Sequence, residues 1–280
     1  MVNRTKTRNM GLHYKILSHP LVIEVMQNAS PLHSMISAKI NDSGKSREGI
    51  QKQAHQVLSE IRSSDHSLYV EFAYHDGVFH YTSNLIHAIE RLEMTPIFLK
   101  RFPRTATFDK NNITIHRWIQ YHYSNYLVTM ISVYDTALLM VNAIFGLGIE
   151  PRKCNDRTVA HHELVKKSRV KKALDGLDII MQPYRDPRNF FVHRNIIPGL
   201  AILDDLERMR SIEEAGKELN LEAEPVMHPR VVKLLYNSQR RLLIQEVVKE
   251  GTRVTDSVYV LFDELQPVYS ALSAKIKKRG

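Results

Sequence analysis

Between Ile115 and Phe145 apolar side chains return every three or four residues, at Ile115, Trp118, Ile119, Tyr123, Tyr126, Leu127, Met130, Tyr134, Leu138, Val141 and Phe145. That spacing predicts one helix of about eight turns with an apolar face too broad to leave in water. Gly146 and Gly148 end it. A face of that width has to be covered, and other helices are the natural cover, so this stretch commits the chain to an all-α helical bundle. Its longest uninterrupted apolar run, "ALLMVNAIFGLGI", falls short of the roughly 20 residues a bilayer span needs, so no membrane partner is expected.

The remaining elements follow from weaker signals. Pro20 and Pro31 bracket a short apolar helix, and a second helical stretch runs from Pro31 to about Arg62, broken by a loop at "NDSGKS", 41–46. "LYVEFAYHDGVFHYTS" alternates apolar and polar residues about Asp76–Gly77, which predicts a small β-hairpin at 68–82. Asn155–Asp156 can cap another helix, which "DGLD" interrupts before Met181. Asp186 then reads as an N-cap with Pro187 at the first helical position. A charged amphipathic helix covers "DDLERMRSIEEAGKELN", and helical spacing returns from Pro229 to Lys278, with Gly251 as a kink or break. The expected organisation is an N-terminal extension at 1–108, made of helices and the hairpin, followed by a helical domain at 109–280.

Charge narrows the partner. The chain carries a formal net charge of +9, which favours a polyanion. The excess is concentrated: from Arg152 to Arg194 eleven Lys and Arg face five Asp and Glu. The single cysteine, Cys154, excludes an internal disulfide and a multi-thiolate zinc site. It fits a reducing cytoplasm, and the basic N-terminus lacks the apolar core of a secretory signal. No glycine-rich phosphate loop, HExxH or GxSxG occurs, so no cofactor is expected. His161–His162 with Glu163 reads as exposed helix rather than as a metal site, which needs three or four converging ligands. Trp118, Tyr121, His122 and Tyr123 read as core with a polar flank rather than as a base-stacking platform.

One stretch does not reduce to packing. "YRDPRNFFVHRN", Tyr184 to Asn195, places Arg188 in what reads as the first turn of a helix, where a cation opposes the dipole at roughly 0.3–1 kcal/mol. A bound anion would compensate. Arg188-Asn189-Phe190-Phe191-Val192-His193 is an R-N-x-x-x-H string, and it resembles the RxxxxH signature of the HEPN superfamily. The order of elements over roughly 112–280, a long tyrosine-rich helix, a helical connection and then the Arg/His helix, is similar to that family's bundle core; residues 1–105 resemble nothing nameable.

The spacing by itself is weak evidence, because it occurs four times: Arg8/His13, Arg117/His122, Arg157/His162 and Arg188/His193. Context selects the last, with Asn189 after the arginine, an N-cap at Asp186, apolar anchors at Phe190, Phe191 and Val192, and flanking cations Arg185 and Arg194. Asn189 and His193, four apart, share a helix face, while Arg188 lies about 140° from His193.

The resemblance implies a metal-independent endoribonuclease working as a homodimer, with two such helices meeting across one cleft. It also implies a defence or toxin–antitoxin setting with an antitoxin or defence-system partner protein. Arg188 and His193 would be catalytic, with Asn189 supporting. Asp135, on the long helix, reads either as orienting the motif arginine or histidine or as a polar residue at the edge of the packed face. Lys166, Lys167, Arg169, Lys171 and Lys172, in "KKSRVKK", would join Arg185 and Arg194 in holding RNA. Two alternatives stay open: a non-catalytic HEPN module binding nucleotides or nucleic acid, and a helical protein-interaction module.

Overall fold

The computed structural model describes residues 12–40, 46–194, 197–219 and 227–278, and among them there is no β-strand. The described residues form ten α-helices in order: α1 Leu12–Leu17, α2 Pro20–Lys39, α3 Arg47–Ser64, α4 His66–Lys100, α5 Ala106–Lys110, α6 Ile115–Phe145, α7 Glu163–Lys166, α8 Val170–Arg194, α9 Ala201–Glu218 and α10 Pro229–Lys277. Short 3-10 turns stand at Pro151–Lys153 and Pro198–Leu200, and a π-helical turn at Asp156–Ala160.

The long central helix is α6. Thr114 accepts from the Arg117 amide at its start. Its end is a Schellman arrangement: Leu147 N–H reaches the Asn142 carbonyl and Gly146 N–H the Ala143 carbonyl. Gly146 and Gly148 take φ of 60° and 69°, where a Cβ would be strained. The buried Asn142 amide then clamps the turn, donating to the Ile149 carbonyl and accepting from its N–H. By length and composition α6 could cross a bilayer, and 56% of that apolar window is buried within the fold.

Five expectations fail, each because packing overrides a local signal; the interruption at "DGLD" is one, since α8 runs through 175–178. The hairpin at 68–82 is not formed; Asp76–Gly77 lies inside α4. In its place Val78, Thr82, Leu85, Ile89 and Leu92 are buried at helical spacing, and Asp76 accepts from His33 Nε2 at 2.8 Å. Pro31 does not start a helix but lies inside α2. Gly251 does not divide α10. Asp186 does not cap a helix, because α8 runs unbroken from Val170 to Arg194 with Pro183 and Pro187 inside it. The loop expected at 41–46 lies outside the described residues except for Ser46, which caps α3 through Gly49 N–H.

The chain divides into two compact units. The first comprises 1–87, 133–177 and 256–280. Leu21, Val22 and Val25 of α2, Leu138 and Val141 of α6, and Phe262 and Leu265 of α10 are among its buried side chains. A smaller apolar cluster joins Ile36 of α2 to Val57 and Ile61 of α3. Two polar contacts tie its interior: Tyr74 Oη donates to the Ile144 carbonyl at 3.0 Å, and His75 Nδ1 meets Tyr269 Oη at 2.8 Å.

The second unit comprises 88–132 and 178–255. Leu92 and Leu99 of α4, Ile119, Leu127 and Met130 of α6, Met181 of α8 and Leu203 of α9 are buried in it. Tyr123 stacks on Tyr126 at 5.8 Å, and Tyr126 meets Tyr184 edge-on at 6.0 Å. Arg240 of α10 donates from Nε to the Leu99 carbonyl at 2.7 Å, one of the carbonyls that α4 leaves unpaired at its end.

Candidate functional site

Tyr184 decides how the motif segment is held. It is buried one turn before Arg188, so Arg188, four residues on, lies on the same face of α8 and is itself half-buried. Asn189 and His193 fall on the exposed side of the helix. Arg188 Nη1 donates to Asn189 Oδ1 at 3.0 Å, which draws the guanidinium toward the face that carries His193. Arg188 Nε is buried without a hydrogen-bond partner. His193 is exposed and has no partner among the described residues.

The continuous helix reverses the electrostatic expectation. Arg188 is not in a first turn; it lies in the C-terminal third of α8, with His193 and Arg194 in the last turn. Cations there complement the macrodipole instead of opposing it. The dipole therefore asks for no bound anion, and no helix N-terminus adds positive potential beneath Arg188. The flanking cations are partly engaged. Arg185 pairs with Asp178, two turns back on the same helix, and Arg194 lies over the Phe190 ring at 5.1 Å.

The rival pairs are differently employed. Arg117 donates from Nη1 to the Asn112 carbonyl, while His122 is stacked on Phe98 at 4.6 Å and edge-on to Trp118 at 4.2 Å. Burial pushes the His122 imidazole below its usual value. Arg157 belongs to the π-helical turn, whereas His162 caps α7, its Nδ1 accepting from the Leu164 amide. Arg8 lies outside the described residues. Among the described pairs, only Arg188/His193 combines one helix, a side-chain link toward a common face and an exposed imidazole.

Other site residues are dispersed. Asp135 is exposed on the part of α6 that belongs to the first unit, as do Lys166, Lys167, Arg169, Lys171 and Lys172. Within the basic strip Lys167 pairs with Glu163 and Lys171 with Asp175. Lys166, Arg169 and Lys172 have no ion pair among the described residues. Among those residues no three His, Cys, Asp or Glu side chains gather as a metal site; His161 Nδ1 instead meets Asp156 Oδ2 at 3.3 Å.

Two polar groupings were not anticipated. His116, 5% exposed, donates from Nε2 to Asp204 Oδ1 at 3.0 Å, and Gln120 donates to the same oxygen at 3.1 Å. His116 stands three residues before Ile119, so a histidine on the apolar stripe was the available signal. The second is the phenol row Tyr123–Tyr126–Tyr184, where burial raises all three hydroxyls beyond the reach of ordinary titration. Burial, then the charge of Glu250, raises Glu246 nearby. Tyrosines at 123, 126 and 184 look like plain core in the sequence, and only the fold brings them together.

Among the described residues the chain is all α, and the Arg188/Asn189/His193 string lies on the part of α8 that belongs to the second unit, an arrangement that fits the HEPN class. The comparisons agree: residues 81–224, just over half of the 280, match the HEPN_Cthe2314-like HEPN family, and the chain belongs to that family. The matched segment begins inside α4, earlier than the bundle core read from the sequence, and ends before α10. No curated protein and no solved structure is significantly similar to the chain.

Proposed function

We propose that this HEPN protein is a metal-independent endoribonuclease acting as a homodimer, with Arg188 and His193 at its centre. The observation that carries the reading is the Arg188–Asn189 hydrogen bond. It turns a half-buried guanidinium toward the face where His193 stands exposed, inside the family-matched segment.

RNA supplies its own nucleophile. The 2′-hydroxyl oxygen attacks phosphorus, the bond to the 5′-oxygen breaks, and a 2′,3′-cyclic phosphate and a free 5′-hydroxyl result. His193 accepts the 2′-hydroxyl proton, a task suited to an imidazole with an unperturbed value of about 6.5. The 5′-oxygen needs a proton in return, and His193 of the partner subunit provides it. Arg188 stays charged and donates paired hydrogen bonds to the phosphoryl oxygens as negative charge builds. Phe190 and Val192, exposed on the same segment, supply apolar surface for the facing copy.

The test is cleavage of labelled RNA in EDTA. Arg188→Ala and His193→Ala should each lose on the order of 10²–10⁴-fold in rate, with Arg157→Ala and His162→Ala near wild type and DNA uncut. Wild-type rates in the first two variants would refute the assignment. RNA bound but never cut would select the non-catalytic module.

A further inference from the structure

The second unit contains a cavity of about 580 Å³ lined by residues around α5, the turn before α6, α9 and the first turns of α10. Its size falls among small-molecule sites, roughly 300–1,000 Å³. Phe102 and Phe108 form an aromatic wall, with ring centres 5.7 Å apart. Trp118 backs that wall, at 6.1 Å from Phe102 and 5.6 Å from Phe108.

The charged lining divides in two. Arg210 is already committed: it donates to both oxygens of Glu207 and to Glu214. Four other charged lining residues, Arg104, Asp109, Glu213 and Lys233, have no ion pair or side-chain hydrogen bond among the described residues. Aromatic rings alone would accept any flat ligand. Two unpaired carboxylates ask in addition for N–H donors, and two unpaired cations for negative charge.

A nucleotide in a strand answers all three demands, and the bases differ in how well. Guanine presents adjacent N1–H and N2–H donors, which match the two oxygens of one carboxylate. Adenine and cytosine set one amino donor beside a ring acceptor, and uracil sets one N–H between two carbonyls. Single-stranded RNA is commonly read this way, by stacking and by hydrogen bonds to the base edge.

We propose that this cavity takes one unpaired guanine of an RNA strand, stacked on Phe102 and Phe108. Asp109 and Glu213 receive its N–H edge, and Arg104 and Lys233 hold the flanking phosphates. The inference rests on the RNA-cleaving reading and adds to it a base preference set apart from the Arg188/His193 chemistry.

Trp118 is the chain's one tryptophan, so its emission reports on the wall directly. The experiment titrates full-length His193→Ala protein with the trinucleotides UGU, UAU, UCU and UUU and with GMP. UGU should produce a saturable change and bind about tenfold or more tighter than the other three, in line with one bidentate base contact. Asp109→Asn with Glu213→Gln, both surface-accessible changes, should erase that preference and leave UAU binding unchanged. Phe108→Ala should weaken all four. Equal binding of the four trinucleotides, no saturable change at millimolar concentration, or a preference that survives the double variant would overturn the proposal. GMP binding as tightly as UGU would overturn the strand assignment in favour of a free nucleotide. Guanine-selective binding by a protein that never cuts RNA would sink the cleavage reading alone; cutting without base preference would sink the cavity assignment alone.

Discussion

Gly199 sits in the 3-10 turn between α8 and α9, and it is held against a tyrosine ring. A Cβ at that position would stand 2.7 Å from Tyr123 Oη, 2.9 Å from Cε1 and 3.1 Å from Cζ. Real side chains do not approach so closely, so Gly199→Ala forces either the turn or the ring to move. The ring has nowhere to go: Tyr123 is 4% exposed and stacked on Tyr126, itself 1% exposed. The turn is pinned as well by Leu200, which is fully buried. Overpacking of this kind costs about 1–3 kcal/mol. Gly199→Ala should lose stability by that amount in urea unfolding followed by far-ultraviolet circular dichroism. Tyr123→Phe removes the nearest of the three atoms and leaves the contacts at 2.9 and 3.1 Å. The double variant, compared with Tyr123→Phe alone, should therefore recover only part of the loss. Gly199→Ala within about 0.5 kcal/mol of wild type would show that the close approach is not real.

Three further outcomes follow from charge and burial. Burial, helped by the charge of Lys277, lowers His75 from 6.5 to about 4. The unfolded chain then binds a proton that the folded one refuses, so stability falls as pH drops from 6.5 toward 4, by at most about 1.4 kcal/mol per pH unit. His75→Gln should flatten that slope in urea unfolding measured at pH 7, 6 and 5, and an unchanged slope would remove His75 as its source. Because His122 lies against Trp118 and is held below its usual value by burial, tryptophan emission should titrate below pH 6.5 in wild type and not in His122→Phe. If the basic strip holds RNA, replacing Lys166, Arg169 and Lys172 together should reduce the log–log salt slope of single-strand binding by about 2, at roughly 0.7 per phosphate contact; replacing the ion-paired Lys167 and Lys171 should do less.

How far the sequence carried depended on whether a residue's neighbours were local. The extent of α6 was legible because its apolar spacing and its two glycines lie within one stretch. The false hairpin arose because Tyr69, Phe72, Tyr74, Phe79 and Tyr81 alternate well enough to mimic a strand. What overrules them is non-local: Tyr74 donates to the Ile144 carbonyl, and His75 meets Tyr269. Asp186–Pro187 misled in the same way, since the buried run Leu174, Leu177, Met181 and Tyr184 carries the helix straight through the prolines. Arg188, Asn189 and His193 could be picked out by spacing and context; the hydrogen bond joining the first two could not. The His116–Asp204 pair and the cavity beside Phe108 were invisible, because each joins α6 or α5 to α9, about 90 to 100 residues further along.

Pro183 and Pro187 have a consequence for how firmly the motif is held. Neither can donate an amide hydrogen, so the carbonyls of Ile179 and Pro183 lose their partners four residues on. The last turns of α8 thus hang on a ladder thinned by two bonds, and the edge-on packing of Tyr184 against Tyr126 helps to hold them. Such a segment opens more readily than a helix interior, and its amides should exchange with solvent sooner than those of 172–181. If Arg188 and His193 hold a ligand as proposed, it must first still them, and part of its intrinsic binding free energy is consumed in doing so. Affinity and order at that site would then be a single equilibrium, tuned by two residues that never need to touch the ligand.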